Sequence, residues 1–215
     1  MTAQLLRLHD RLGMRVLGIV LSAVMLFVAA QPARADQRPH TILHETVEQL
    51  LAELDSNRST LAADKCQLYS LVNRLVLPQF AVDKISRLIL GAHFKAASPD
   101  LRNRFTRAFM DLMIRTYATA MFEYTGQEEI EYLPFVLDES ARTALVQTRV
   151  RVPGQPPVPV DYAFLRSADG RWQIYDVRLD GISLVLSYRR SYDQIIRSKG
   201  LEALVHALET QDTDC

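Results

Sequence analysis

The sequence predicts an α+β fold, and the change of hydrophobic period at Gly126 is the main reason. Before it, apolar residues recur three and four positions apart; after it they alternate, as in half-buried strands. Helices that come first, followed by strands joined through short turns, describe helices packed on one face of an antiparallel sheet. A composition of 48% hydrophobic and 23% charged residues is that of an ordinary globular domain.

The first 35 residues stand apart from this pattern. Arg7, Arg11 and Arg15 precede an apolar run over residues 16–30, and Ala33-Arg34-Ala35 has the small–x–small form of a cleavage site. The run is shorter than the ~20 residues a membrane-spanning helix needs. The expectation is a signal peptide cleaved after Ala35, an exported chain that does not span a membrane, and one domain over residues 36–215. The 25 Lys and Arg balance the 25 Asp and Glu, and loss of four Arg and one Asp with the leader leaves a formal charge of −3. No Lys/Arg cluster stands out, which excludes nucleic acid as an expected partner.

Residues 40–54 place Ile42, Leu43, Val47, Leu50, Leu51 and Leu54 at helical spacing, and residues 56–60 read as a polar break. A second helix over 64–77 turns Leu68, Leu71, Val72, Leu75 and Val76 inward and stops at Pro78. A third, over 82–90, closes at Gly91. The longest helix follows over 98–126, with Ser98 as N-cap, Pro99 at the first helical position and Gly126 as the terminator. Leu101, Phe105, Phe109, Leu112, Met113, Tyr117, Met121 and Tyr124 share one side of it, and Met110 and Ile114 widen that side to about 200°, where a surface helix needs only ~100°. Such a helix is covered on two sides, or lines a cavity as well as a core. Periodicity leaves both readings open; the abundance of Met suits a cavity for variable apolar ligands.

Beyond Gly126, residues 143–152 alternate Ala144, Val146, Thr148, Val150 and Val152 against Leu145, Gln147, Arg149 and Arg151. A Pro/Gly-rich turn leads to residues 158–166, with Val158, Val160, Tyr162 and Phe164 on one face. Ser167–Gly170 ends in Asp-Gly, a hairpin signal, and residues 172–179 return. Residues 128–133 are a fourth candidate strand, ended by Pro134. Asp180-Gly181 breaks the sheet, and helices over 183–198 and 201–208 finish the chain.

Catalytic signatures are weak: no Gly-rich phosphate loop and no Gly-x-Ser-x-Gly elbow occurs. His40 and His44 have the spacing of metal ligands, with Glu48 one turn on, but the set is incomplete and reads as a solvated helix face; no metal is expected. Asp161 and Asp176 with Tyr162 and Tyr175 are the candidates for general acid–base work if the protein is a small exported enzyme. The other reading has both carboxylates facing water or capping turns. For Cys66 and Cys215, a disulfide that pins the tail and a buried thiol beside a frayed end are equally open.

The run Leu90-Gly91-Ala92-His93-Phe94-Lys95-Ala96-Ala97-Ser98-Pro99, followed by Phe105, resembles the MlaC family, also called the toluene tolerance family. Leu77-Pro78-Gln79-Phe80-Ala81-Val82-Asp83 upstream is similar to a further stretch of that family. Trp172-Gln173-Ile174-Tyr175-Asp176-Val177, Gly181-Ile182-Ser183, Ser187-Tyr188-Arg189-Arg190 and Gly200-Leu201-Glu202-Ala203-Leu204 resemble its last strand and C-terminal helices. The resemblance runs from about Thr41 to Leu208; the two cysteines have no place in it.

The resemblance implies a cystatin-like, nuclear-transport-factor-like cone, with a sheet of about four strands, several helices and an apolar cavity. It implies a monomeric periplasmic phospholipid carrier, not an enzyme and without a cofactor. Its partners are phospholipid, an outer-membrane lipoprotein–porin complex and an inner-membrane ABC transporter complex. Helix-wheel and strand-alternation arguments name Phe80, Leu90, Phe94, Phe105, Phe109, Met113, Tyr117, Val146, Val150, Tyr162, Phe164, Trp172 and Tyr188 as lipid-binding candidates. A one-residue slip in strand register exchanges the faces of the strand positions among them.

Overall fold

The computed structural model describes residues 38–118, 121 and 124–210. The expected leader and Cys215 lie outside them. Helix α1 (Pro39–Ser56) has a proline in its first turn, where no N–H is needed. Helix α2 (Arg58–Ala63) occupies the segment expected to be a polar break. Helix α3 (Lys65–Leu75) starts at Asp64, whose Oδ1 accepts from the Cys66 N–H at 2.9 Å. A 3₁₀ turn (Leu77–Gln79) with Pro78 inside it leads to α4 (Val82–Leu90).

Gly91 follows α4 with φ of 55°, and the Arg189 guanidinium lies 3.1 Å from where a β-carbon would sit. Both backbone angle and space therefore favour glycine here. The short α5 (Ala92–Ala96) fills what the sequence left as a link, and α6 (Pro99–Ala118) follows. Ser98 caps it as expected, accepting from Leu101 N–H at 3.2 Å.

Five strands succeed one another: β1 (Glu129–Tyr132), β2 (Thr143–Arg151), β3 (Val158–Arg166), β4 (Trp172–Leu179) and β5 (Ile182–Ser183). They form one antiparallel sheet in the order β1-β2-β3-β4-β5. The fifth strand arises because Asp180-Gly181 turns the chain back instead of ending the sheet. Both residues take positive φ, 50° and 76°, as a two-residue type I′ hairpin requires. Helices α7 (Leu184–Lys199) and α8 (Leu201–Glu209) complete the domain; Ser183 caps α7 by accepting from Leu186 N–H at 3.0 Å.

Along β2 the burial alternates as the sequence predicts, with Val146 and Thr148 buried and Leu145, Gln147, Arg149 and Arg151 exposed. Between β3 and β4 the register shifts at Ala163/Phe164, so that Ala163 opposes Asp176 while Phe164 opposes Ile174. Tyr175 is the extra residue of a β-bulge, and such a bulge re-aims the side chains beside it. Past the end of β5, Phe80 forms a parallel bridge to Ile174 and Ala81 N–H donates to the Ile174 carbonyl at 2.8 Å.

The apolar interior consists of three clusters. Ile85, Ile89, Leu90, Phe105, Phe109, Tyr192, Ile196 and Val205 join α4, α6, α7 and α8. Leu54, Leu61, Leu68, Leu71, Ile114 and Ala118 join α1, α2, α3 and α6. Ile42, Leu43, Val146, Phe164, Trp172 and Ile174 join α1 to the sheet. Helix α6 thus serves two clusters, which accounts for its wide apolar side. At its first turns Arg104 forks onto Glu209, with contacts of 2.9 and 2.8 Å, and also reaches Glu202, which holds α8 against it. Cys66 is disulfide-bonded, which removes the reading of a free buried thiol.

Phe105 is fully buried, stacked on Phe109 at 5.7 Å and edge-on to Tyr192 at 6.2 Å. Phe105→Ala is expected to cost about 3–5 kcal/mol in urea or guanidinium unfolding. Burial pushes the Tyr132, Tyr162 and Tyr188 phenols up to about 12 from their ordinary 10. A folded chain that keeps these protons where the unfolded chain loses them is fully stabilised below pH 10 and loses that stability as pH rises to about 12. Urea midpoints measured from pH 9 upward are expected to fall across that window.

Candidate functional site

The three clusters leave an unfilled space of about 530 Å³ between them, within the size range of ligand pockets. Helix α6 forms one wall with Phe109, Met110, Met113, Ile114 and Tyr117, spaced so that they follow a single face. Val72 of α3, with Val76 and Leu77 just beyond it, forms the second; Phe80 and Ile85 close the gap toward α4. The sheet contributes Val150, Val160, Tyr162, Val177 and Leu179, and the start of α7 contributes Leu184, Val185 and Tyr188.

The sheet residues of this wall are register partners, Val160 with Leu179 and Tyr162 with Val177, so the pairing assembles the surface. Tyr188 packs edge-on against Phe109 at 5.1 Å and its hydroxyl is hydrogen-bonded with that of Tyr117. This bond spans from α7 to α6. Tyr117 is 36% exposed and marks an opening; Ile182 (64%) and Leu186 (50%), next to wall residues Leu179 and Val185, add an exposed apolar rim. Among the described residues of the wall, Asp176 is the one with a formal charge.

Of the residues expected from the sequence, Phe80, Phe109, Met113, Tyr117, Val150, Tyr162 and Tyr188 stand on the cavity wall. The others stand elsewhere. Leu90 and Phe105 belong to the helical cluster, at the ends of α4 and α6 that α7 and α8 cover. Phe94 is held outside that cluster between two guanidinium groups, Arg87 at 5.1 Å and Arg102 at 4.6 Å. Val146, Phe164 and Trp172 are on the inner face of the sheet as alternation predicts, but on the half that Ile42 and Leu43 of α1 cover. Val72, Val76, Met110, Ile114, Leu184 and Asp176 were not among the candidates. The helical spacing of the first four was visible as inward-facing surface, whereas the bulge that turns Asp176 into the wall has no sequence signal.

The proposed acid–base groups are not brought together. Asp161 lies on the other face of β3 from Tyr162, paired with Gln147 at 3.4 Å. Asp176 is buried and accepts from the Val185 N–H at 3.1 Å, so it caps the start of α7. The histidines do not sit on a bare solvated face: His40 is half-buried, with Tyr132 edge-on at 5.5 Å and Phe135 stacked at 6.2 Å, and the His44 ring is 5.0 Å from Tyr132. Among the described residues no group of three or more His, Cys, Asp or Glu side chains is placed to hold a metal. Among them, too, no helix is long and apolar enough to cross a membrane.

The profile of the family described as MlaC protein matches residues 44–210. The intermembrane phospholipid transport system binding protein MlaC of Haemophilus influenzae is 22% identical over 196 residues, covering 90% of each chain. The toluene tolerance protein ttg2D of Pseudomonas putida is 26% identical over 188 residues, covering 86% of each. A phospholipid-binding protein from Ralstonia solanacearum, solved in complex with a phospholipid, superimposes with a TM-score of 0.72 at 24% identity, over 78% of this chain and 93% of that one. This likeness shows a shared fold. With a match that spans most of both the helical and the sheet halves, this chain belongs to the MlaC family.

Proposed function

We propose that the protein is a periplasmic phospholipid carrier that takes acyl chains into the cavity between α6, α7 and the sheet. The observation that carries this reading is the cavity itself: about 530 Å³, walled almost throughout by apolar and aromatic side chains and bounded by three clusters that are each well packed. An adaptor with a filled core would have no such space. The names of the relatives, a phospholipid transport binding protein and a phospholipid-bound structure, support the same cargo. No enzyme chemistry is assigned to the protein, and no cofactor is needed: the lipid is cargo.

Two tails of ordinary length hold about 30 methylenes at ~0.8 kcal/mol each, so release into water would cost on the order of 25 kcal/mol. A carrier therefore hands its lipid over in contact with a partner that offers a competing apolar site. In this reading the donor and acceptor are an outer-membrane lipoprotein–porin complex and an inner-membrane ABC transporter complex. The exposed Ile182 and Leu186 at the rim suit a transfer in which tails never meet water. Phe80, Phe109, Met113, Tyr117, Val150, Tyr162 and Tyr188 are the proposed acyl contacts, and the flexible Met110, Met113 and Met121 accommodate tails of different length.

Solvent extraction and mass spectrometry of the protein purified from the periplasm test this reading; stoichiometric phospholipid is expected, and a lipid-free protein would overturn it. Met113→Glu and Phe109→Asp place a charge on the apolar wall and are expected to abolish lipid retention. Asp161→Asn, on the other face of the sheet, is expected to retain lipid at the wild-type level in the same assay.

A further inference from the structure

An apolar wall for acyl chains has no need of a carboxylate, yet Asp176 stands on it with 7% of its surface exposed. Strand alternation counted from Leu179 and Val177 would turn residue 176 to the other face. The bulge at Tyr175 is what brings Asp176 to the same wall as Val177. Capping of α7 accounts for half of the group only. Oδ1 accepts from Val185 N–H at 3.1 Å, while Oδ2 stands 3.9 Å from Arg178 Nε, too far for a hydrogen bond. An ionised carboxylate has about four acceptor positions, so Asp176 retains capacity. The end of α7 is in any case already capped by Ser183.

The position is close to the rim. Val185, which Asp176 touches, lies between half-buried Leu184 and exposed Leu186, with Ile182 exposed just before them. A lipid whose tails fill the cavity leaves its polar end near this rim.

We infer that Asp176 selects among phospholipids by their headgroup, favouring one that presents a primary ammonium over one whose only charge is the phosphate. This rests on the phospholipid reading above. An ammonium donates to Oδ2 and gains a charge-assisted hydrogen bond beside a low-dielectric wall. A phosphoglycerol headgroup offers a hydroxyl at best and brings an uncompensated negative charge toward a carboxylate, where weak screening makes the repulsion count.

The test uses the full chain incubated with vesicles of equimolar phosphatidylethanolamine and phosphatidylglycerol with identical acyl chains. The protein is repurified and its lipid extracted and quantified by mass spectrometry. The wild type is expected to hold phosphatidylethanolamine in about tenfold excess, the size of one hydrogen bond to a charged group. Asp176→Asn, which keeps the acceptor for Val185, is expected to return the ratio to near one. A wild-type ratio of one, or an excess of phosphatidylglycerol, overturns the inference. So does an Asn variant with the wild-type ratio, because a purely structural cap would leave selection unmoved. If the Asn variant does not fold by circular dichroism, Asp176→Glu decides: an excess of phosphatidylethanolamine supports the assignment, and an even ratio overturns it. A wild type that takes up neither lipid overturns the carrier reading, and this inference falls with it.

Discussion

Helix α6 has to satisfy two helical clusters and still face the sheet, and the geometry of a single helix does not allow all three to close tightly. Phe105, Ala108 and Phe109 go into the cluster with α4, α7 and α8, and Ile114 and Ala118 go into the one with α1, α2 and α3. Successive side chains point about 100° apart, so the strip between those two directions, Phe109, Met113 and Tyr117, is left over. Opposite it, the half of the sheet that carries Val150, Val160 and Leu179 has no helix of its own to cover it. The unfilled space is where these two remainders face each other.

Such a space normally collapses, since apolar side chains that lose contacts on one side lose dispersion energy as well. Here its margins are fixed from outside. Arg104 ties α6 to α8, the bridge between Phe80 and Ile174 ties the entry to α4 to the sheet, and Asp176 and Ser183 tie α7 to the end of β4. The hydroxyl contact between Tyr117 and Tyr188 is the one polar link across the opening that could yield when a ligand enters. The framework is thus anchored by polar contacts and the interior is left to adaptable side chains.

Most of the fold was legible because each element carries its own local reason: Ser98 and Pro99 begin α6, Pro78 stops α3, and the alternation of Ala144, Val146, Thr148 and Val150 marks β2 and its inner face. The site was legible only in part, because alternation reports which face of a strand is buried but not what buries it. Val146 and Val150 look alike in sequence; the first meets α1 and the second meets the cavity, a difference made by packing between segments a hundred residues apart. Phe94 shows the same limit from another side, since nothing local says that two arginines will enclose it. The bulge at Tyr175 is the clearest case: it depends on how β3 and β4 settle against each other, and with it goes the exposure of Asp176 to the cavity.

The edges of the sheet have a consequence for a protein that carries open apolar surface at high local concentration. An unpaired strand edge recruits other chains, and a molecule with a greasy opening nearby is doubly exposed to that fate. On one side β1 is only four residues long and carries Glu129 and Glu131, the latter in ion pairs with Arg149 and Arg151. On the other, β5 covers the end of β4 and the Phe80–Ala81 segment covers its middle. Blunted at one margin and occupied at the other, the sheet offers little template for fibril-like growth, so the molecule keeps its stickiness confined to the opening.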